Sequence, residues 1–135
     1  MTGVWVLVGT LVLATAAGLV MKSRNGRVRT VTGSMLPADV ATLVAPAGVT
    51  LVQLSTTFCA PCRHTRVLLS DLASRTDGLH HTELDLTDRP DLARELSILR
   101  TPTTLAITPA GTEILRIGGV PKRDELLTAL QPHLA

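Results

Sequence analysis

The stretch Gly3 to Met21, GVWVLVGTLVLATAAGLVM, carries no charge, whereas all thirteen Lys and Arg and all eleven Asp and Glu of the 135-residue chain come after it. As a helix rising ~1.5 Å per residue, such a run is roughly 28 Å long, close to the hydrocarbon thickness of a bilayer. It reads as a transmembrane span. The competing reading is a cleaved secretory signal: ATAAG offers small residues at which to cut, but a signal wants a basic leader and only Met1 and Thr2 stand ahead of the run. Basic charge lies behind it instead, as Lys22, Arg24, Arg27 and Arg29. By the positive-inside tendency that side stays in the cytoplasm, an extracytoplasmic or secreted domain being the alternative. The expected division is an anchor at 1–21, a basic juxtamembrane linker or short first strand at 22–35, and one domain at 36–135.

Setting the four juxtamembrane cations aside leaves nine basic against eleven acidic residues, which gives no cause to expect nucleic-acid binding. Phe58 is the one aromatic beyond the span, so there is no stacking surface for bases either. The basic stretch is accounted for by topology and by attraction to anionic head groups.

The rest alternates. GVTLVQLS, Gly48 to Ser55, is an apolar, β-branched run that predicts a buried strand, and RHTRVLLSDLASR after it places Val67, Leu68, Leu69, Leu72 and Ala73 near helical spacing. HTELDL, His81 to Leu86, alternates like a strand; DRPDLARELSI follows as a helix with Asp88 at its N-cap, Pro90 in the first turn, and Leu92, Ala93 and Leu96 on one face. Thr103 to Thr108 and Glu113 to Ile117 flank PAG as a hairpin, and Lys122 to Leu134 forms a last helix that buries Leu126, Leu127 and Leu130. A short helix at Pro37 to Ala45 and a first strand around Val28 to Val31 precede them. The expected fold class is α/β: a mixed central sheet flanked by helices, with crossovers early and an antiparallel pair late.

Both cysteines lie in STTFCAPCRHTRVLL. A CxxC is half of a tetrahedral zinc site, but His64, His80, His81 and His133 include no pair at zinc spacing, and no metal is expected. Two passive core cysteines would be an odd choice for the opening of a helix. A redox couple accounts for each feature. The unpaired N–H groups and positive dipole at a helix start lower a thiol's pKa, making Cys59 the attacking thiolate. Cys62, one turn on, can resolve the mixed disulfide, and Pro61 suits a first turn where its missing N–H has no intrahelical partner. This chemistry needs no cofactor beyond the Cys59-Cys62 pair.

A strand leading into FCAPC and a helix, with RTPTT downstream and IGG after the hairpin, resembles the thioredoxin family over Leu36 to Ala135. The resemblance implies a thioredoxin fold with Pro102 in the cis form against the cysteine pair. It also implies that the backbone of Thr101 pairs with an extended substrate segment, and that Gly118 and Gly119 let the substrate approach. A bland reading of the two glycines, as a strand-ending turn, stands beside it. Phe58 replaces the family's Trp and Ala60 its Gly; Phe58 is expected to touch substrate.

A larger departure lies six residues before Cys59, where thioredoxins carry a buried Asp and this chain has Gln53. A neutral amide cannot serve as the base. Counting back from Pro90 and Pro102 puts Glu83 where thioredoxins carry a Lys near that Asp, so acid and amide are expected to have changed places, with Glu83 accepting the proton of Cys62 and its pKa raised by partial burial. The alternative is a solvated strand residue. Arg63 could add positive potential, and His64 has no assigned role.

The implied function is a membrane-anchored thiol-disulfide oxidoreductase, acting as a disulfide reductase if it faces the cytoplasm. Its partners would be protein disulfides or thiols and a reductase or other thiol donor. The alternative is a catalytically weak thioredoxin-like module that recruits a partner to the membrane.

Overall fold

The computed structural model describes residues 1–31, 33 and 35–134; Thr32, Ser34 and Ala135, which fall in the expected linker and domain, lie outside the described residues. A helix α1 (Thr2–Arg24) and a short strand β1 (Val28–Thr30) come first. They are followed by α2 (Ala38–Ala41), β2 (Val49–Ser55), α3 (Ala60–Arg75), β3 (Leu79–Asp85), α4 (Pro90–Glu95), β4 (Thr103–Ile107), β5 (Glu113–Gly118) and α5 (Arg123–Leu134). The five strands form one sheet in the order β1-β5-β4-β2-β3, in which only β2 and β3 run parallel. The fold is a thioredoxin fold, as the motifs imply.

The sheet is covered on both faces, and β2 shows why its sequence has apolar residues pointing both ways. Val49 and Leu51 pack into one core with Leu69 and Leu72 of α3 and Leu126 and Leu130 of α5. Val52 and Leu54 pack into the other with Val40 of α2 and Leu92 of α4. All seven residues of β2 are buried, Gln53 among them. Burying each large aliphatic side chain contributes ~1.5–3 kcal/mol, so the strand that leads into the cysteine loop is firmly held in the sheet. Its start is equally fixed. Gly48 has φ +78°, and a Cβ there would strike the carbonyl of Gly78, which itself accepts the N–H of Val49 at 2.8 Å.

Several details differ from the expectations. Val67 is 66% exposed, and the buried stripe of α3 is Cys62, Thr65, Leu69 and Leu72. At ~100° per residue Val67 falls off that stripe, and its apolar character does not overrule the geometry. The N-cap of α4 is Arg89, not Asp88, without a side-chain cap bond. Pro90 begins the helix, which makes the residue just before it the cap. The third strand begins at Leu79, which pairs with Val49, and not at His81.

The N-terminal helix is unlike the others. Its 23 residues reach a mean hydropathy of 2.2 over their most apolar stretch, and none is buried. It is long and apolar enough to cross a membrane. Its end is nonetheless tied to the domain: Gly26 N–H donates to Gly118 O at 2.8 Å, prolonging the β1-β5 ladder, and Arg100 donates to Asn25 Oδ1 at 3.2 Å.

Candidate active site

Strand β2 ends at Ser55, whose carbonyl accepts Leu86 N–H at 2.8 Å, and the chain turns through Thr56, Thr57 and Phe58 into α3. Thr87 holds this turn from beyond the neighbouring strand's end. Its Oγ1 accepts Thr57 N–H at 2.9 Å and lies 2.9 Å from Thr57 Oγ1. Thr87 in turn donates from both its hydroxyl and its amide to Asp85 Oδ1, and these bonds hold the Asp85 carboxyl below the usual carboxylate range. Sequence reasoning misses this support. Its one signal is the D-x-T spacing, in which a short acceptor meets the amide two residues on.

Cys59 is the N-cap of α3, in extended backbone, with its Sγ 3.2 Å from the Cys62 nitrogen. Ala60 and Pro61 occupy the first turn, where the missing N–H of Pro61 costs no helical bond. Cys59 and Cys62 form a disulfide, S–S 2.02 Å. The two cysteines live in different surroundings: Cys59 is half-buried, whereas Cys62 is 2% exposed. Phe58 is 98% exposed and, with Thr57, Cys59, Ala60 and Arg63, lines a shallow depression around the outer sulfur.

The peptide bond between Thr101 and Pro102 is cis. Pro102 is buried, and its carbonyl accepts Gly119 N–H at 2.7 Å; Thr101 lies alongside Thr56, their hydroxyls 3.4 Å apart. So the motif RTPTT meets the turn that leads into the cysteines. At the glycines the neighbours are the chain's own residues. A Cβ on Gly118 would meet the Arg100 side chain at 3.4 Å, and one on Gly119 would land on the Asn25 amide.

Beneath Cys62 the arrangement differs from the expected exchange of acid and amide. Glu83 does pair in register with Gln53, but its carboxylate is turned to Arg66 of α3, which grips it at 2.7 and 2.6 Å. No hydrogen bond joins Glu83 to Cys62 among the described residues. The group at Cys62 is Gln53, whose Nε2 donates to Cys62 O at 2.8 Å and to Ser55 Oγ at 3.0 Å. Gln53 Oε1 is 3.1 Å from His81 Nε2, and His81 Nδ1 is 3.1 Å from Ser70 Oγ. Sequence reasoning weighs His81 only as a metal ligand. The signal that could have found it is the alternation of β3: His81 and Glu83, two apart, share the face that looks at α3.

A family model described as Thioredoxin matches residues 30–132. Thioredoxin H2 of Arabidopsis thaliana is 33% identical over 76 residues, which are 56% of this chain and 56% of that protein. The thioredoxin of Staphylococcus saprophyticus is 28% identical over 89 residues, 65% of this chain and 85% of that one. Among solved structures, the thioredoxin of Fasciola hepatica superposes with a TM-score of 0.60 at 22% identity, covering 73% of this chain and 95% of its own. The oxidized mitochondrial thioredoxin 3 of Saccharomyces cerevisiae gives 0.58 at 20%, covering 76% and 94%.

Proposed function

The chain belongs to the thioredoxin family, and from that premise we propose that it is a membrane-anchored disulfide reductase in which Cys59 attacks and Cys62 resolves. The observation that carries this is the inequality of the two cysteines, one half-buried at a helix N-cap and one fully buried a turn below it. Once the pair is reduced, Cys59 Sγ lies at the positive end of α3, beside the amide of Cys62, where a thiolate is favoured. That thiolate attacks a substrate disulfide and forms a mixed disulfide, releasing one substrate sulfur as thiolate. Cys62 then attacks Cys59 Sγ; the Cys59-Cys62 bond forms and the second substrate sulfur departs with the electron pair. Two electrons have passed to the substrate, and a reductase or other thiol donor must return them.

Substrate lies across Phe58, Ala60 and Pro61 on one side and Thr101 and Pro102 on the other. The backbone of Thr101 offers strand-like bonds to an extended segment. The helix α1 is the anchor, and the four cations just after the span keep the domain on the cytoplasmic side.

The test is reduction of a model protein disulfide by the full-length protein in detergent micelles. Cys59→Ser should abolish activity, and Cys62→Ser should accumulate substrate on Cys59 as a mixed disulfide that dithiol reagents release. No turnover by wild type with both cysteines demonstrably reduced would favour the recruiting module instead. For the anchor, intact mass of the protein extracted from membranes should include residues 1–21; a shorter mass would mark a cleaved signal.

A further inference from the structure

Resting on the reading above, the geometry points to His81 as the positioning residue of the resolving step: it holds the Gln53 amide in the one orientation that grips Cys62, and it couples that step to its own protonation. The deduction begins at the carbonyl. Cys62 O only accepts, so the Gln53 atom 2.8 Å from it is the N–H donor, and Oε1 is left facing His81 Nε2 at 3.1 Å. Oε1 also only accepts, so His81 Nε2 carries a hydrogen in either charge state. Neutral His81 therefore has its lone pair on Nδ1, to which Ser70 Oγ donates at 3.1 Å. Nδ1 is the nitrogen that titrates. When it gains a proton the Ser70 hydroxyl turns to accept, and a positive charge arises one amide away from Cys62.

The clamp is held from both ends. Gln53 is fully buried, so an amide flip would set Nε2 against the His81 N–H and leave the Cys62 carbonyl without that donor. A buried polar group so orphaned loses its water without gaining a partner, which disfavours the flipped amide. The charged groups facing His81 are Glu83 from its own strand and Arg66 from α3, while β2 presents Leu51 and Gln53, both neutral. Burial, the largest influence, lowers the His81 pKa below the ordinary value; Glu83 raises it and Arg66 lowers it. The charged form thus gathers on the acid side of the usual histidine range.

The step concerned is the second. Cys62 gives its proton to solvent, its thiolate attacks Cys59 Sγ of the mixed disulfide, and the substrate sulfur leaves with the electron pair. An imidazolium beyond Gln53 favours the Cys62 thiolate, so protonated His81 sustains resolution in acid. Gln53 bonds the Cys62 carbonyl, so the effect falls chiefly on the resolving step, in which Cys62 is the nucleophile.

The experiment mixes the reduced full-length protein in detergent with dithiobis-nitrobenzoate, whose two coloured thiolates are released in turn by Cys59 and by Cys62. His81→Leu removes the donor to Oε1, and the second release should slow about tenfold, the equivalent of one hydrogen bond, with the first slowed much less. His81→Gln restores an N–H donor without a titrating group. It should match wild type within about twofold near pH 8, while the ratio of wild type to variant rises about threefold or more as the pH falls toward about 5. A second release in His81→Leu at the wild-type rate, or superimposable pH profiles of wild type and His81→Gln, would overturn the proposal. Should His81→Leu not fold, as judged by circular dichroism, the His81→Gln profile decides. Failure of the first release in wild type would instead sink the reductase reading.

Discussion

Phe58 shows how far a single residue can be read. It is expected to be a contact residue because a mostly aliphatic chain places its one aromatic beyond the N-terminal helix next to Cys59, and the structure leaves that ring 98% exposed. A ring so exposed contributes little to stability, so Phe58→Ala should leave the melting temperature unchanged within the effect of about 0.5 kcal/mol. It should lower kcat/KM for protein disulfides about five- to tenfold, as loss of an interface aromatic does, and spare small disulfides. Steady-state kinetics on both substrate classes checks this; equal losses on both would mean the ring shapes the sulfur and not the docking surface. The partners of Cys62 were less legible. Gln53 could be placed by counting from Cys59, but whether Glu83 or His81 stood behind it depended on which side chain reached inward. Arg66 decided the matter by drawing the Glu83 carboxylate to itself, a contact between residues seventeen apart that no local pattern announces.

At the scale of elements, α3 is held at its two ends by different means. Its start is the N-cap at Cys59. Toward its end Asp71 accepts from Arg75, one turn on, at 2.8 Å and from Arg123 at the start of α5 at 2.6 Å. The bond from Arg123, then that from Arg75, holds the Asp71 carboxyl below its usual range. A group whose folded pKa is depressed contributes stability that is fully present above its unfolded value, about 4, and lost as the pH falls through the folded one. Asp71→Asn should therefore melt lower than wild type at neutral pH, with the gap closing below about pH 4 and narrowing in high salt. Thermal melts across pH and salt test this; a gap that persisted in acid would mean the loss is one of packing. The existence and order of strands and helices were legible because their apolar periods are local. Their ends and faces were less so, as with Asp88 and Val67, because a cap or a buried stripe is settled by what lies opposite.

For the whole molecule, the informative feature is the junction of the N-terminal helix and the domain. Asn25 and Gly26 sit against Gly118 and Gly119, and the cleft beside them is lined by Arg24, Arg27, Arg29, Arg100 and Arg116. Gly119 has φ +87°, where a Cβ costs about 1–2 kcal/mol, and that Cβ would displace Asn25. Gly119→Ala should lower the melting temperature and speed tryptic cleavage after Arg24 and Arg27, while Asn25→Ala should speed cleavage with a smaller loss of stability. Cleavage at the wild-type rate in both would show that the linker is not held there. The apolar helix, the α/β order, the cysteine pair and the Thr101-Pro102 motif could be read without the fold, because each is written in neighbouring residues as a period or a spacing. That Gln53 and His81, not Glu83, stand behind Cys62, and that Gly118 and Gly119 receive Asn25 and Gly26, came from the folded arrangement alone. Those outcomes depend on side chains from separate elements competing for the same few hydrogen bonds, and that competition is resolved only when the sheet and its helices have closed around them.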